Sequence, residues 1–377
     1  MPPLRIVLNT RVDDAASRLC IHGLGARLRE AGVDATVNDW RGYERYDVAV
    51  FMGYDHELER AKRERPSIRV ALADPKLSTA ERLDAARRAD FLMVSSVEQR
   101  DAFLRLNRNV LVHYMFPVLE AESKHHRNAD GIVVGYHGNR VHLEAMASSV
   151  RPALEELARR RPVTLLAVYN HRELGKAHIG IPDGVEVRHV QWTDTFVDDL
   201  RAADIGIVPN ELPIRDRQHV LALAAYDEPE FMYEPFDYLV RFKVSSNPGR
   251  LYPFGLLGIP VVADFTPSYA QFVVDGVSGR LASSPAGWFE AFDDLAASAE
   301  LRARMGRELS LRLTAAYDRQ VEEFLAWCTR PLKGPPVVIG GVSAAEDELA
   351  LLGRYAAPSP PWTRSRVRRA VRRRLGL

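Results

Sequence analysis

The sequence predicts an α/β protein of two similar units, each built around a mostly parallel sheet with helices on both faces. Short apolar runs alternate with amphipathic helical stretches through the first third of the chain, and the alternation restarts near residue 131. The length of 377 residues is too great for one ordinary core and suits two domains. A hydrophobic fraction of 46% with 27% charged residues is typical of a globular protein.

The first unit begins with a predicted strand at residues 4–8 and an amphipathic helix at 17–31, which Gly32 closes. Further apolar runs predict strands at 35–38, 48–51, 68–72, 91–94 and 110–114, and helical patterns lie at 57–65, 79–89 and 97–106. The glycines of His22-Gly-Leu-Gly25 fall inside the first helix rather than directly after the strand. This placement favours close packing of the helix on the sheet over a dinucleotide-binding loop.

The second unit repeats the pattern after a polar stretch at 120–130. Its predicted strands are 132–136, 163–168, 185–190, 205–208 and 261–263, and its helices are 143–160, 196–203, 285–297, 301–316 and 319–328. Residues 210–238 are irregular and rich in proline and acids. We therefore expect domains at 1–120 and 131–317, a linker at 121–130, a closing helix at 318–332, and a proline- and arginine-rich tail at 333–377.

The stretch 241–264 carries the strongest functional signal, because it predicts a polar loop, a short helix, a glycine turn and a buried strand. Pro248 suits a first helical turn, and good N-cap residues precede it: Ser245, Ser246 and Asn247. The unpaired N–H groups of a helix start attract anions, and Lys243 and Arg250 flank this one. The segment predicts a phosphate site, with an ordinary helix start among surface charges as the alternative.

Composition and charge argue against several classes of protein. A net charge of +1 gives the chain no overall nucleic-acid signature. No apolar run approaches the roughly 20 residues of a membrane span, and no signal-peptide core precedes the first strand. Cys20 and Cys328 lie in helical patterns with apolar neighbours, which favours buried free thiols over a disulfide or a metal site. We expect a cytoplasmic protein that needs no metal and binds no nucleic acid.

The tail from Arg364 to Leu377 is rich in arginine. On a helix, Val367, Val371 and Leu375 form a narrow apolar stripe among the arginines, as in segments that lie on anionic membranes. A solvated basic tail has the same composition and is an equal alternative. RNA binding is less favoured because no aromatic residues alternate with the arginines. The tail therefore leaves open a peripheral position at the inner membrane face.

Three runs of the second unit carry a family resemblance: Ala203-Asp-Ile-Gly-Ile-Val-Pro209, Gly258-Ile-Pro-Val-Val-Ala-Asp264 and Asp275-Gly-Val-Ser-Gly-Arg-Leu281. They resemble the C-terminal domain of GT-B glycosyltransferases, near glycosyltransferase family 4, also described as glycosyl transferases group 1. The last run marks a hairpin in the family. Trp288 with Leu301-Arg-Ala-Arg-Met-Gly306 resembles the family's closing pattern. The resemblance covers residues 131–330, whereas the first half shares only the order of strands and helices.

The resemblance implies two Rossmann-like, doubly wound domains that face each other across a cleft. It also implies transfer of a sugar from a nucleotide-sugar donor to a glycan, lipid-linked or small-molecule acceptor, with no metal and no cofactor beyond the donor itself. The second domain would hold the donor, because Lys243 and Arg250 match basic positions that contact phosphates in relatives. The donor- and phosphate-binding candidates are Lys243, Ser246, Asn247, Arg250, His137, Gly138 and Asn139.

Two departures from the family bear on catalysis. Typical family 4 members carry two glutamates eight positions apart around the donor helix, and here those positions hold Ser245 and Pro253. Neither residue can act as an acid, a base or a charge stabiliser. Residues 210–238 also lengthen the link before the donor loop. Two rival functions follow: a GT-B-shaped binding or scaffold protein without turnover, and a GT-B transferase that moves a phosphopolyol.

Glycosyl transfer also needs an activated acceptor hydroxyl. Asp55-His56 follows the strand at 48–51, and Asp13-Asp14 follows the first strand, so both pairs lie at the sheet edge where ligands bind. We predict His56, Asp55 and Asp14 as the catalytic candidates, with ordinary turn or cap residues as the alternative. In a retaining mechanism the leaving phosphate can take the proton, and no side-chain base is then required.

Overall fold

The computed structural model describes residues 4–76, 79–139, 142–143, 146–170, 180–210 and 246–337. These residues form two units, each with a six-stranded sheet whose strands all pair in parallel. Each sheet carries an apolar core on both of its faces. The predicted α/β class with two doubly wound units is therefore confirmed.

The first sheet has the strand order β2-β1-β3-β4-β5-β6. Its strands are β1 (Arg5–Asn9), β2 (Asp34–Val37), β3 (Val48–Met52), β4 (Arg69–Ala73), β5 (Phe91–Val94) and β6 (Val110–Val112). Its helices are α1 (Ala15–Ser17), α2 (Leu24–Glu30), α3 (Leu58–Glu64), α4 (Ala80–Arg88) and α5 (Val97–Phe103). Apolar residues of α3, α4 and α5 pack on one face, and those of α2 pack on the other. The carboxyl ends of the strands consequently share one edge.

The single helix predicted at 17–31 is built from three pieces. A π-helical segment, Arg18–Gly23, joins α1 to α2. Gly25 lies in α2, where a Cβ would stand 2.6 Å from Cγ2 of Val37. The predicted role of this glycine in close helix–sheet packing is therefore confirmed, because any larger residue would push the helix off the sheet.

The second sheet has the order β12-β11-β10-β7-β8-β9. Its strands are β7 (Ile132–His137), β8 (Val163–Tyr169), β9 (Glu186–Gln191), β10 (Ile205–Val208), β11 (Val261–Asp264) and β12 (Arg280–Ala282). Its helices are α6 (Val150–Ala158), α7 (Phe196–Leu200), α8 (Leu251–Leu256), α9 (Pro267–Ala270), α10 (Pro285–Ala297) and α11 (Ala299–Thr329). The predicted turn between α8 and β11 is present at Gly258, whose φ is 65°.

Two details differ from the sequence-based expectations. The stretch at 275–281 is not a hairpin, because β12 pairs in parallel with β11 after a tight loop with positive φ at Gly276 and Gly279. The helices expected at 301–316 and 319–328 form one continuous helix of 31 residues, α11. No glycine or proline interrupts the chain between them, so nothing stops the helix there.

Two segments join the units. Residues 121–130 were expected to be a linker, and they lie against the second unit, where the Lys124 N–H donates to the carbonyl oxygen of Leu257 at 2.7 Å. α11 returns to the first unit, where Phe324 and Cys328 enter the core beside Cys20. Both cysteines are buried free thiols, as predicted, and burial raises the pKa of Cys328 to about 12.

No helix in the described ranges combines the length and the apolar character that crossing a bilayer requires. The arginine-rich segment at 364–377 and most of the irregular stretch at 210–238 lie outside these ranges.

Candidate functional site

The candidate site lies where the strand order of the second sheet reverses. β7 pairs with β8 on one side and with β10 on the other, so the loops after β7 and β10 diverge here. Ligands of open α/β sheets bind in the crevice that such a reversal leaves at the carboxyl ends of the strands. The loops after β7, β10 and β11 meet at this point, and the turn before α8 contacts all three.

Local sequence features fix the turn before α8. Asn247 caps it, because its Oδ1 accepts a hydrogen bond from the N–H of Gly249 at 3.0 Å. Pro248 occupies the first position, where its missing N–H costs nothing. Gly249 is required because a Cβ there would overlap the carbonyl oxygen of Met115, which belongs to the segment after the first sheet. The turn therefore ends with Arg250 held over the strand edge.

Arg250 is a half-buried cation whose Nη2 bonds neutral groups. Its Nη2 donates to the carbonyl oxygen of Pro209 at 2.9 Å, to Oδ1 of Asn210 at 3.2 Å and to the hydroxyl of Tyr269 at 2.8 Å. Its Nη1 is buried and has no hydrogen-bond partner among the residues that the structure describes. Because an unpaired buried charge is costly, this guanidinium is suited to bind an anion.

The loop after β7 holds Arg250 from the other side. Nε2 of His137 lies 2.8 Å from the Arg250 carbonyl oxygen, and this nitrogen carries the proton because a carbonyl can only accept. Burial lowers the pKa of His137 to about 4, so the ring is neutral at pH 7. Gly138 has a φ of 137°, and a Cβ there would lie 2.9 Å from Cδ of Arg250. Glycine therefore gives the arginine side chain room to pass this loop.

The other described phosphate-binding candidates build the same loop cluster. Ser246 is buried, and its Oγ accepts a hydrogen bond from Nδ2 of Asn210 at 2.7 Å. The carbonyl oxygen of Asn139 accepts from the hydroxyl of Tyr136 at 2.5 Å. Asn247 uses its side-chain oxygen to cap the turn. These contacts position Arg250 and the backbone around it.

Two positions that the family resemblance singled out fall outside the described residues. They are Lys243 and Ser245, so the expected place of Lys243 beside Arg250 stays a prediction. Pro253, at the second of the two family glutamate positions, lies in α8 and is buried. This position therefore offers no carboxylate to a ligand.

The acids predicted as catalytic candidates in the first unit hold its loops together. Oδ1 of Asp55 accepts from Nη1 of Arg11 at 3.0 Å, which ties the loop after β3 to the loop after β1. Oδ1 of Asp14 caps α1 by accepting from the N–H of Ser17 at 2.7 Å, and its Oδ2 accepts from the hydroxyl of Tyr54 at 2.8 Å. These bonds stay within the first unit, and each acid has a structural role there.

His56 follows β3 and is half-buried. Burial lowers the pKa of its imidazole, and this effect exceeds the opposite influence of Glu81 and Asp55. A neutral imidazole can accept a proton, which is the form that a general base requires. The geometry brings His56 and Asp55 to the same loop, while their catalytic roles stay predictions.

Three residues of the site were not predicted from the sequence. Tyr269 and Asn210 both bond Arg250, and Glu98 of the first unit accepts a hydrogen bond from the N–H of Ser268 at 3.2 Å. Asn210 is the second residue after β10, and the capping pattern Ser96-Val-Glu98-Gln99 begins at the second residue after β5. The asparagine and the capping pattern both lie just beyond the carboxyl ends of strands, where ligands of α/β proteins bind.

The fold is similar to that of known glycosyltransferases, although no protein-family model and no curated protein matches the chain. Sucrose-phosphate synthase from Thermosynechococcus elongatus has 14% identity and a TM-score of 0.53, covering 85% of this chain and 97% of its own. A glycosyltransferase from Rickettsia africae has 9% identity and a TM-score of 0.50, covering 87% and 98%.

A mutant of TarM from S. aureus, solved with fondaparinux, alpha-GlcNAc-glycerol and UDP, has 12% identity and a TM-score of 0.52. That match covers 75% of this chain and 55% of the TarM chain. Together with the two parallel sheets, these similarities confirm the predicted GT-B fold. At identities this low the likeness concerns the fold alone.

Proposed function

We propose that the chain is a glycosyltransferase that takes its sugar from a nucleotide-sugar donor and holds the donor's diphosphate against Arg250. The observation that supports this most is the buried Nη1 of Arg250, which has no partner among the described residues. Its Nη2 bonds only neutral acceptors. A diphosphate supplies the negative charge and the acceptor oxygens that such a guanidinium edge requires. The GT-B fold and the UDP-bound TarM structure agree with this choice of ligand.

In the proposed reaction Arg250 stabilises the diphosphate as the bond to the sugar breaks. The cation is held in place before the donor arrives, by the Tyr269 hydroxyl on one side and the His137 ring on the other. A preorganised cation stabilises a leaving group without the cost of reorganisation. Lys243 is the proposed second cation. Arg250 and Lys243 would together neutralise the negative charge of the leaving diphosphate, a role that a metal ion has in other enzymes.

Among the candidate bases we favour His56 for the acceptor hydroxyl. Asp14 and Asp55 are each committed to hydrogen bonds that hold the loops after β1 and β3. The imidazole of His56 has a lowered pKa and is neutral at pH 7, so it can accept the proton. The proposed acceptor is a glycan, a lipid-linked sugar or a small molecule. For a lipid-linked acceptor, the basic tail would hold the enzyme on an anionic membrane surface.

The test begins with binding of UDP-, GDP-, dTDP- and CDP-linked sugars and polyols, followed by isothermal titration of each hit. We expect Arg250→Gln to weaken binding by about 1.5–3 kcal/mol, because a charge-assisted bond to phosphate is lost. Arg307→Gln, at an exposed position of α11, is the matched control and leaves the affinity unchanged. If the wild type binds none of these donors, or if both variants bind alike, the proposed donor site is wrong.

A second candidate is a binding or scaffold protein that kept the fold and lost turnover. The buried Pro253, at a position where family 4 has a glutamate, favours it. Multiple turnovers of a bound donor with an acceptor would exclude this candidate. Stoichiometric binding with no product across a panel of glycan and lipid acceptors would favour it. A hit confined to CDP-linked polyols would instead indicate phosphopolyol transfer.

A further inference from the structure

Glu98 extends from the first unit to α9 of the second unit, the helix that carries Tyr269. α5 begins at the carboxyl end of β5, where the Ser96 Oγ caps it by accepting from the N–H of Gln99 at 3.1 Å. Glu98 lies in the first turn of this helix. Its Oε1 accepts a hydrogen bond at 3.2 Å from the N–H of Ser268, at the start of α9 in the second unit. Tyr269, the residue after Ser268, accepts a hydrogen bond from Arg250 with its hydroxyl.

A second contact ties the same loop to the other side of the site. The Oγ of Ser95 donates to the carbonyl oxygen of Ser246 at 3.4 Å. The hydroxyl of Ser246 in turn accepts from Asn210, whose Oδ1 accepts from Arg250. The loop after β5 and the first turn of α5 therefore contact both segments that flank Arg250. Glu98 thus brings a carboxylate of the first unit next to α9.

The second oxygen of Glu98 is buried. Its Oε2 has no hydrogen-bond partner among the described residues. Burial raises the pKa of this carboxyl, since desolvation outweighs the hydrogen bonds it accepts. A buried acceptor left unpaired destabilises the protein, so a ligand that donates a hydrogen bond there regains that free energy. The environment therefore favours a donor group in the ligand.

The chemistry of the donor limits which of its groups can meet Glu98. A carboxylate repels the diphosphate, which Arg250 attracts, and a carboxylate oxygen can only accept a hydrogen bond. The hydroxyl groups of a sugar ring are neutral and donate. In a nucleotide sugar they occur on the ribose and on the transferred sugar, on either side of the diphosphate.

We propose that Glu98 binds hydroxyl groups of a sugar ring of the nucleotide-sugar donor. It would supply, from the first unit, a carboxylate that Ser245 and Pro253 do not supply from the donor helix. This inference rests on the proposed function, because it takes the donor diphosphate to lie at Arg250. Its consequence is that donor affinity depends on the contact between the two units at Ser268.

The test compares Glu98→Gln with Asp101→Asn, which alters an exposed carboxylate about one turn further along the same helix. Glutamine keeps the acceptor for the Ser268 N–H, so this variant is expected to fold, and thermal unfolding checks that it does. Isothermal titration uses UDP-, GDP-, ADP- and dTDP-glucose, the corresponding nucleoside diphosphates, and inorganic diphosphate.

We expect Glu98→Gln to weaken nucleotide-sugar binding about tenfold or more, while inorganic diphosphate binds as before and Asp101→Asn changes neither. A loss seen already with the nucleoside diphosphate assigns Glu98 to the ribose, and a loss confined to the sugar nucleotide assigns it to the transferred sugar. Equal binding by Glu98→Gln and wild type overturns the inference. If that result accompanies loss of binding in Arg250→Gln, the proposed function still stands. If the wild type binds no nucleotide, both are wrong.

Discussion

Replacing Gly138 by alanine perturbs the site without removing any side chain. The new Cβ would lie 2.9 Å from Cδ of Arg250 and 3.2 Å from the hydroxyl oxygen of Tyr136. Both distances are shorter than ordinary contacts, so the arginine stem must move away from the loop after β7. The φ of 137° at this position is also one that alanine adopts only with strain.

The two effects have different sizes and different readouts. Backbone strain of this kind costs about 1–3 kcal/mol of folding free energy. A displaced Arg250 loses its fixed position toward the donor diphosphate, and a charge-assisted contact is worth about 1.5–3 kcal/mol, or roughly tenfold to a hundredfold in affinity. Urea unfolding measures the first effect, and isothermal titration with the donor measures the second.

Gly184→Ala is the matched control. Gly184 lies in the same unit with a φ of 69°, and a Cβ there would meet no atom within 4 Å. This variant should lose stability through backbone strain and keep the donor affinity of the wild type. If Gly138→Ala binds the donor as tightly as Gly184→Ala does, then Gly138 does not position Arg250 and the reasoning is refuted.

Three further predictions concern other parts of the chain. Lys243→Ala should weaken donor binding about tenfold by titration, and unchanged affinity would remove Lys243 from the site. The pKa of His137 is about 4 in the folded protein, below its value of about 6.5 in the unfolded chain. Between these two pH values the unfolded chain binds a proton that the folded protein does not. The free energy of unfolding should therefore fall as the pH drops from about 6.5 toward 4. In His137→Gln this acid-side slope of the unfolding free energy should be smaller, and an identical slope would exclude His137 as its source. Deleting residues 364–377 should release the protein from anionic lipid vesicles and leave turnover in solution unchanged, whereas a full-length chain that never binds such vesicles would rule out a membrane role for the tail.

The arrangement of strands and helices could be predicted because local patterns determine it. The strands at 91–94 and 205–208 were predicted at the bounds that the structure has, since each is a short apolar run between breakers. The glycine turn at Gly258 was likewise evident from residue type alone, whereas Asn247 was one of three predicted caps. The hairpin at 275–281 was implied by the family resemblance, and the glycines there instead form the tight loop that precedes a parallel strand.

The candidate site was predictable only in part. Arg250 was identified by its place at a helix start, but its partners Asn210 and Tyr269 come from two other loops. Which way a polar side chain turns depends on tertiary contacts, so the sequence did not show that Asp55 would bond Arg11 across 44 positions. The contact between Glu98 and Ser268 joins residues 170 positions apart, and no local pattern encodes such a pairing.

α11 has a consequence for how the chain is made. Leu309 and Leu313 of this helix pack in a core of the second unit, whereas Phe324 lies fully buried in a core of the first, against Phe91. The N-terminal half therefore leaves the ribosome with an incomplete core beside Phe91. Phe324 completes this core, and it is synthesised more than 200 residues after β6. Until then its apolar face is open to solvent and to other nascent chains, so the N-terminal half expressed alone should aggregate, and supplying α11 as a separate peptide should rescue it.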